Sequence, residues 1–207
     1  MTFELWNLSL YKNLSPFNSL ILYECFAMKI LLHICCAPCA IYPLKVLRER
    51  GNDVYGLYYN PNIHPYSEYK KRLDTLEKYA GDVGLKIIVS DEYPMEEFLR
   101  NVVFREQDRC RYCYYSRLSY AAHIARKGHF DGFTSTLLYS KFQDHNMITN
   151  LGNSLAKEYN VAFHYEDFRK GWKEGIETSR KLGMYRQQYC GCIYSEKERF
   201  YKKAKIG

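Results

Sequence analysis

The sequence predicts a doubly wound α/β fold, with a mainly parallel five-stranded sheet and helices on both of its faces. Three observations predict it. Short apolar runs of strand length alternate with helical segments over most of the 207 residues. Glycines close several of the helical segments, and no internal repeat or long linker interrupts the alternation. Ligands of such sheets bind at the carboxyl ends of the strands, so a functional site is expected there.

The N-terminal half alternates strands and helices from Lys29 onward. The first apolar run ends at a group of thiols, and the helical segment after it is closed by Gly51. In the second helical segment, apolar side chains recur every three or four residues along one face. These patterns place strands at residues 29–34, 54–59 and 85–89, and helices at residues 40–50, 66–80 and 95–103.

The C-terminal half continues the same alternation. A helix is predicted from Tyr114 to Gly128, and it carries Leu118 and three alanines on its inward face. The remaining patterns place strands at residues 130–138 and 161–165, and helices at residues 141–159, 172–182 and after Cys192.

Residues 28–207 are predicted to form one metal-binding catalytic domain, preceded by an N-terminal extension of residues 1–27. The extension lacks a basic region before its apolar run, and Glu24 ends that run. It therefore predicts neither a signal peptide nor a membrane span. Because Met28 leads directly into the first strand, it could be the true start of the chain. A cytoplasmic location is expected.

Seven of the eight cysteines fall into three tight groups that lie far apart in the sequence. The groups are Cys35, Cys36 and Cys39; Cys110 and Cys113; and Cys190 and Cys192. Distant thiols that meet on folding are typical of a metal or iron–sulfur site. Disulfide scaffolds stabilise chains that are too short to build a hydrophobic core. This chain is not short, so a disulfide scaffold is disfavoured.

Seven thiols exceed the four that one cubane cluster needs, so a four-iron cluster beside a second metal is expected. The side chains of neighbouring Cys35 and Cys36 should diverge and serve two centres. Gly191 permits a sharp turn, so Cys190 and Cys192 could do the same. Two alternatives remain open, a structural zinc site and a redox-active Cys-x-x-Cys pair.

The net charge of +7, from 30 basic and 23 acidic residues, suits a polyanionic partner without requiring one. Arg186 and the basic tail, with Lys202 and Lys203, interleave with aromatic residues. These basic groups are predicted to contact RNA phosphates, while an aromatic ring stacks on a base. The alternative is a solvated helix whose aromatic side lies in the core.

Three cysteine motifs together resemble the epoxyqueuosine reductase family QueH. They are Leu-His-Ile-Cys-Cys-Ala-Pro-Cys at 32–39, Arg-Cys-Arg-Tyr-Cys at 109–113 and Tyr-Arg-Gln-Gln-Tyr-Cys-Gly-Cys at 185–192. The resemblance, which begins near Met28, implies reduction of epoxyqueuosine to queuosine at the wobble position of a tRNA. It also implies a sheet like that of the HUP and PP-loop proteins, a four-iron cluster beside a single iron, no cobalamin, and an external low-potential electron donor.

On this resemblance, we assign each candidate residue a role. The predicted cluster ligands are Cys36, Cys110, Cys113 and Cys190, and the predicted ligands of the second metal are Cys35, Cys39, Cys192 and Asp167. The two members of each pair, Cys35 and Cys36 or Cys190 and Cys192, could exchange these roles. Asp167 would supply a hard ligand to the open iron, although it could instead cap the helix that follows, and Asp108 and Asp144 are possible substitutes. Tyr189 is the candidate proton donor.

Two other functions are compatible with parts of the sequence. An iron–sulfur tRNA-modifying enzyme of the PP-loop type would carry a glycine-rich loop after the first strand to hold pyrophosphate. Residues 37–40 occupy that place without a glycine, which disfavours ATP use. A zinc-stabilised RNA-binding module is the non-enzymatic alternative, and zinc without labile sulfide would support it.

Overall fold

The computed structural model describes residues 27–201, and within them five strands form one parallel sheet. Their order across the sheet is β3-β2-β1-β4-β5. The strands are β1 (Lys29–His33), β2 (Asp53–Tyr58), β3 (Ile87–Val89), β4 (Gly132–Ser135) and β5 (Ala162–Phe163). The predicted five-stranded parallel sheet is confirmed.

Seven α-helices connect or flank these strands in the described residues. They are α1 (Ala37–Glu49), α2 (Tyr66–Asp82), α3 (Met95–Val102), α4 (Arg109–Lys127), α5 (His145–Tyr159), α6 (Trp172–Lys181) and α7 (Ile193–Phe200). The connections through α1 and α2 advance towards the β3 edge, whereas the connection through α5 advances towards the β5 edge. Right-handed crossovers in opposite directions place helices on opposite faces, as the doubly wound prediction requires.

Two helices begin earlier than the sequence predicts, and both changes involve thiols. Helix α1 begins at Ala37 instead of residue 40, because Pro38 fits the first turn, where no backbone N–H is needed. Helix α4 begins at Arg109 instead of Tyr114. The first two thiol groups therefore lie at helix starts, although Cys35 and Cys36 still precede α1.

The last two strands are shorter than predicted. The predicted strand at 130–138 ends at Ser135, whose Oγ accepts a hydrogen bond from the Leu137 amide at 3.1 Å. This bond turns the chain into a 3-10 helix, Thr136–Tyr139. Strand β5 keeps only two residues, and α5 begins at His145, after the capping side chain of Asp144.

The core lies on both faces of the central strand β1. Leu31, Leu32 and Ile34 are fully buried, and β1 pairs with β2 on one side and β4 on the other. The small side chains of Ala121 and Ala122 on α4 are also fully buried, which lets this helix approach β1 and β4 closely. The predicted inward face of this helix is thus confirmed.

The carboxyl ends of β1 and β4 meet where the direction of the connections reverses. His33, the last residue of β1, is paired with Ser135, the last residue of β4. Doubly wound proteins bind ligands in the crevice formed at this reversal. Within residues 27–201, no helix has the length and apolar character needed to cross a membrane.

Candidate metal centre and active site

The first thiol group lies in the crevice directly after β1. Cys36 is the N-cap of α1, and Cys39 lies in its first turn. The sulfur atoms of Cys35, Cys36 and Cys39 all lie within 4.8 Å of one another, and those of Cys35 and Cys36 are 3.9 Å apart. Thiolates bound tetrahedrally at about 2.3 Å from one ion are about 3.8 Å apart. The expectation that Cys35 and Cys36 diverge is therefore wrong, and the three thiols fit a single metal ion.

The second thiol group lies in the first two turns of α4. Cys113 is buried and Cys110 is exposed. One turn later, Arg117 donates from Nη2 to the Cys113 sulfur at 2.9 Å and from Nε to the Cys113 carbonyl at 3.0 Å. The helix thus presents a pair of thiols together with a cation that contacts one of them.

The third thiol group is split by its glycine. The Cys190 sulfur accepts a hydrogen bond from Gln143 Nε2 at 3.6 Å, whereas the Cys192 sulfur accepts one from the Ser195 amide at 3.4 Å and so caps α7. Cys192 also packs in a small apolar cluster with Cys113. Gly191 between them has φ +150°, and the two thiols face different surroundings.

Each thiol group lies at the N-terminus of a helix. Cys36 caps α1, Cys110 lies in the first turn of α4 with Cys113 just after it, and Cys192 caps α7. Exposed backbone N–H groups give a helix N-terminus a partial positive charge, which favours thiolates and other anions. Three helix starts thus create an environment suited to an anionic metal–thiolate centre.

Burial and neighbouring charges shift the pKa values of these thiols. The pKa of Cys113 is raised to about 12, chiefly by burial; the Arg117 charge opposes this rise, and the charges of Cys190 and Cys192 contribute to it. Burial also raises the pKa of Cys190, and Cys35 adds to that effect. The pKa of Cys35 is lowered, chiefly by a hydrogen bond from the Cys36 thiol. A bound cation would supply the positive charge that lets the other buried thiols ionise.

Arg117 is a buried cation that faces these thiols. Its side chain is almost fully buried, and the charges of Cys113, Cys190 and Cys35 all act on it. None of the ion pairs among residues 27–201 pairs Arg117 with a carboxylate. A buried cation needs a compensating negative charge, and the thiols are the groups placed to provide it.

A cavity of about 320 Å³ opens beside the thiols, a volume typical of small-ligand sites. Cys35, Cys39 and Cys190 reach its wall together with Arg117. Thr136 donates to the Cys35 sulfur at 3.4 Å, and Gln187 Nε2 donates to the Cys39 sulfur at 3.7 Å. Thiols from the first and third groups therefore face one enclosed space.

A buried ion pair on α2 holds the third thiol group in place. Arg72 is 1% exposed and pairs through Nε with Glu68 at 2.7 Å. Its two remaining nitrogens donate to the carbonyls of Cys190 at 2.9 Å and Tyr189 at 3.1 Å, and Tyr185 donates to Glu68. We name Arg72, Glu68 and Tyr185 the α2 clamp. The only hint of it in the sequence is a charged residue, Arg72, on the apolar face of the predicted helix.

Comparison with known proteins identifies the family. Residues 30–198 match the model of a protein family described as epoxyqueuosine reductase QueH. The chain belongs to the QueH family. It is 41% identical over 176 residues to the epoxyqueuosine reductase QueH of Dehalococcoides mccartyi, covering 85% of this chain and 97% of that protein. It is 37% identical over 187 residues to the protein of the same name from Thermotoga maritima, covering 86% and 95%.

The QueH family catalyses the reduction of epoxyqueuosine in tRNA, so the resemblance inferred from the three cysteine motifs is confirmed, as is the oxidoreductase class. A solved structure described as a predicted subunit of a tRNA methyltransferase from Methanocaldococcus jannaschii is also similar. It has a TM-score of 0.49 and 15% identity over 74% of both chains.

The other predicted site residues differ in whether they line the cavity. Arg186 is exposed and lines the cavity, and Tyr189 also lines it while its hydroxyl donates to the His64 carbonyl. Asp167 does not line the cavity. Its carboxylate caps a 3-10 helix and accepts hydrogen bonds from the Arg169 side chain, which holds the pKa of Asp167 at about 2. Lys202 and Lys203 lie outside the described residues.

Several site residues were missed by the sequence reasoning. Thr136 and Gln143 contact cavity thiols and Arg117 contacts Cys113, but none of the three was among the predicted site residues. Thr136 follows β4, as Cys35 follows β1, so its position at a strand end was the available signal. Nothing in the sequence indicates that Gln143 reaches Cys190.

Proposed function

We propose that this epoxyqueuosine reductase holds a four-iron cluster and one further iron in the three thiol groups, and that the cavity beside them receives the epoxyqueuosine nucleotide. The proposal rests on the placement of the thiol groups at three helix starts, with Cys35, Cys39 and Cys190 lining one cavity and Cys192 packed with Cys113. The proposed cluster ligands are Cys36, Cys110, Cys113 and Cys190. The proposed ligands of the single iron are Cys35, Cys39, Cys192 and Asp167.

The donor set fits such centres. Soft thiolates are the ligands of iron–sulfur clusters, and the close spacing of Cys35, Cys36 and Cys39 would place the two proposed centres next to each other. Within the third group, Cys192 packs beside Cys113, whereas Cys190 lines the cavity with Cys35 and Cys39. These positions favour the exchanged assignment of this pair, with Cys192 on the cluster and Cys190 on the single iron. Asp167 could bind the iron only if its ion pair with Arg169 opened.

The reaction removes the epoxide oxygen as water, and it consumes two electrons and two protons. When bound, the cluster would supply electrons one at a time, reloaded by an external low-potential donor. Arg117 reaches the cavity wall, where its guanidinium would stabilise negative charge on the oxygen as the C–O bond breaks. The Tyr189 hydroxyl donates a hydrogen bond to the His64 carbonyl; once it breaks this bond and donates to the substrate instead, it would deliver a proton.

The substrate is part of a tRNA, so basic side chains must meet phosphates near the cavity. Arg186 is exposed at the cavity and is proposed to contact the backbone beside a flipped wobble nucleotide. Lys202 and Lys203 are proposed to extend this contact. Charge reversal at both lysines should weaken tRNA affinity, and an unchanged affinity would remove them from the interface.

The reaction is proposed to take place in the cytoplasm, where thiols stay reduced. Residues 28–207 are proposed to form the single catalytic domain, with residues 1–27 as an extension. The matched region, 30–198, lies within that span.

Metal analysis of cysteine variants tests the proposal. Iron, zinc and acid-labile sulfide are measured per chain on anaerobically purified protein and on single Cys→Ala variants. Variants of cluster ligands should lose sulfide and most iron, whereas variants of the single-iron ligands should keep sulfide and lose about one iron. Cys25→Ala is the matched control, because Cys25 belongs to none of the three groups. Zinc without sulfide in the parent protein would contradict the proposal.

A further inference from the structure

An exposed aromatic ring stands at the rim of the cavity. Phe142 is 84% exposed and nevertheless lines the cavity together with Trp172. The two rings touch edge to face, with centroids 5.8 Å apart and an interplanar angle of 78°. A single exposed phenylalanine is ordinary on a protein surface, but this one adjoins the proposed substrate site.

The position of this ring pair is fixed by its neighbours. The Phe142 amide donates to Ser140 Oγ at 3.2 Å, which sets the turn that carries the ring. Tyr139 packs against Trp172 with ring centroids 5.2 Å apart and donates from its hydroxyl to the Trp172 carbonyl at 3.1 Å. Trp172 is thus positioned by Tyr139, while Phe142 exposes most of its ring to solvent.

The chemistry around the rings is basic and amide-rich. The described residues that line the cavity include Arg117, Arg186 and three glutamines but no carboxylate. Lys141 adds a further positive charge, with Nζ 5.9 Å from the centre of the Trp172 ring. Aromatic surface combined with positive charge and amide groups is the combination that binds unpaired nucleotides.

We propose that Phe142, backed by Trp172, stacks a base of the tRNA loop adjacent to the reactive nucleotide, while Lys141 and Arg186 contact the flanking phosphates. The proposal rests on the proposed use of the cavity for epoxyqueuosine. It assigns this rim to single-stranded RNA and not to a protein electron donor, because the side chains around the ring offer groups that pair with phosphates and base edges.

The affinity for an unmodified RNA hairpin tests this assignment. The hairpin carries the sequence of an anticodon arm, and binding is followed by fluorescence anisotropy with the full-length, metal-loaded protein. Phe142→Ala should weaken hairpin binding about tenfold, a typical loss for one stacked base. Phe142→Tyr should restore it. Phe104→Ala is the matched control, because Phe104 is 94% exposed but does not line the cavity.

A blunt RNA duplex of the same composition distinguishes stacking from charge. All variants should bind the duplex alike, since it offers no unpaired base. The proposed stacking by Phe142 would be overturned by any of three results. These are unchanged hairpin affinity in Phe142→Ala, equal losses of hairpin and duplex affinity in that variant, and no hairpin binding by the parent protein. Product formation from epoxyqueuosine-containing tRNA is measured separately, so failure of the proposed reaction is distinguished from failure of the proposed base stacking on Phe142.

Discussion

Arg117 carries a positive charge into a buried site, where the charges of Cys113, Cys190 and Cys35 act on it. Removing that charge with Arg117→Met should make the reduced, more negative form of a bound cluster less stable. The midpoint potential of the cluster should then become more negative, with a smaller change in Arg117→Lys, which keeps the charge. A redox titration followed by electron paramagnetic resonance measures the shift. An unchanged potential in a fully loaded Arg117→Met protein would contradict this role.

Gly191 is the position in the third thiol group where a side chain cannot be added without strain. Its φ is +150°, and a Cβ would lie 3.1 to 3.4 Å from Ile63, Asn62 and Arg72. Gly191→Ala should therefore destabilise the protein by about 1–3 kcal/mol and reduce iron retention. Urea unfolding measures the free energy. Gly81→Ala is the control, because a Cβ at this α2 position meets nothing within 4 Å and should be neutral or stabilising.

Titration of His164 should contribute to the pH dependence of the free energy of unfolding. Burial lowers its pKa below the ordinary 6.5, and its Nε2 is buried with no hydrogen-bond partner among residues 27–201. Below that ordinary value the unfolded chain binds the proton more readily than the folded protein. Its stabilising contribution is therefore present above pH 6.5 and is lost as the pH falls. Unfolding at about pH 7.5 and pH 5.5 should show a smaller loss in His164→Gln than in the parent, whereas equal losses would contradict this.

At the scale of elements, the α2 clamp connects a helix to the third thiol group. Arg72→Met leaves Glu68 buried without its cation and should cost about 3–5 kcal/mol of the free energy of unfolding. The same helix offers a matched control in the exposed pair of Lys70 and Asp74. Lys70→Met should leave stability nearly unchanged. If the two variants unfold alike in urea, the clamp does not have the stabilising role assigned here.

The helix starts show where sequence reasoning about elements succeeds and fails. Residues 66–80 were correctly predicted as helix because their apolar face is regular, and the structure extends it only to Asp82. The starts of α1 and α4 were missed because neither begins with a side chain that caps it by a hydrogen bond. Cys36 caps α1 only by position, a role that composition does not reveal.

At the scale of the whole molecule, the sequence was sufficient to predict a parallel sheet with thiols at its strand ends. The alternation of strands and helices predicts the parallel sheet, and the position of Cys35 just after β1 predicts thiols at a strand end. The grouping of the sulfur atoms was not predictable, because it depends on how the chain turns after β1 and at Gly191. The contacts of Arg72 with residues 189 and 190 join positions more than a hundred residues apart, which no local pattern encodes.

The measurement that tests the central claim most directly is the conversion of epoxyqueuosine to queuosine in tRNA by anaerobic protein supplied with dithionite. Nucleosides from the digested tRNA are quantified by mass spectrometry for the parent protein and for Cys113→Ala, whose tRNA affinity is checked separately. We predict queuosine from the parent and none above background from the variant, although the variant still binds tRNA. Undiminished queuosine formation by Cys113→Ala would contradict a reaction driven by a cluster held in the thiol groups.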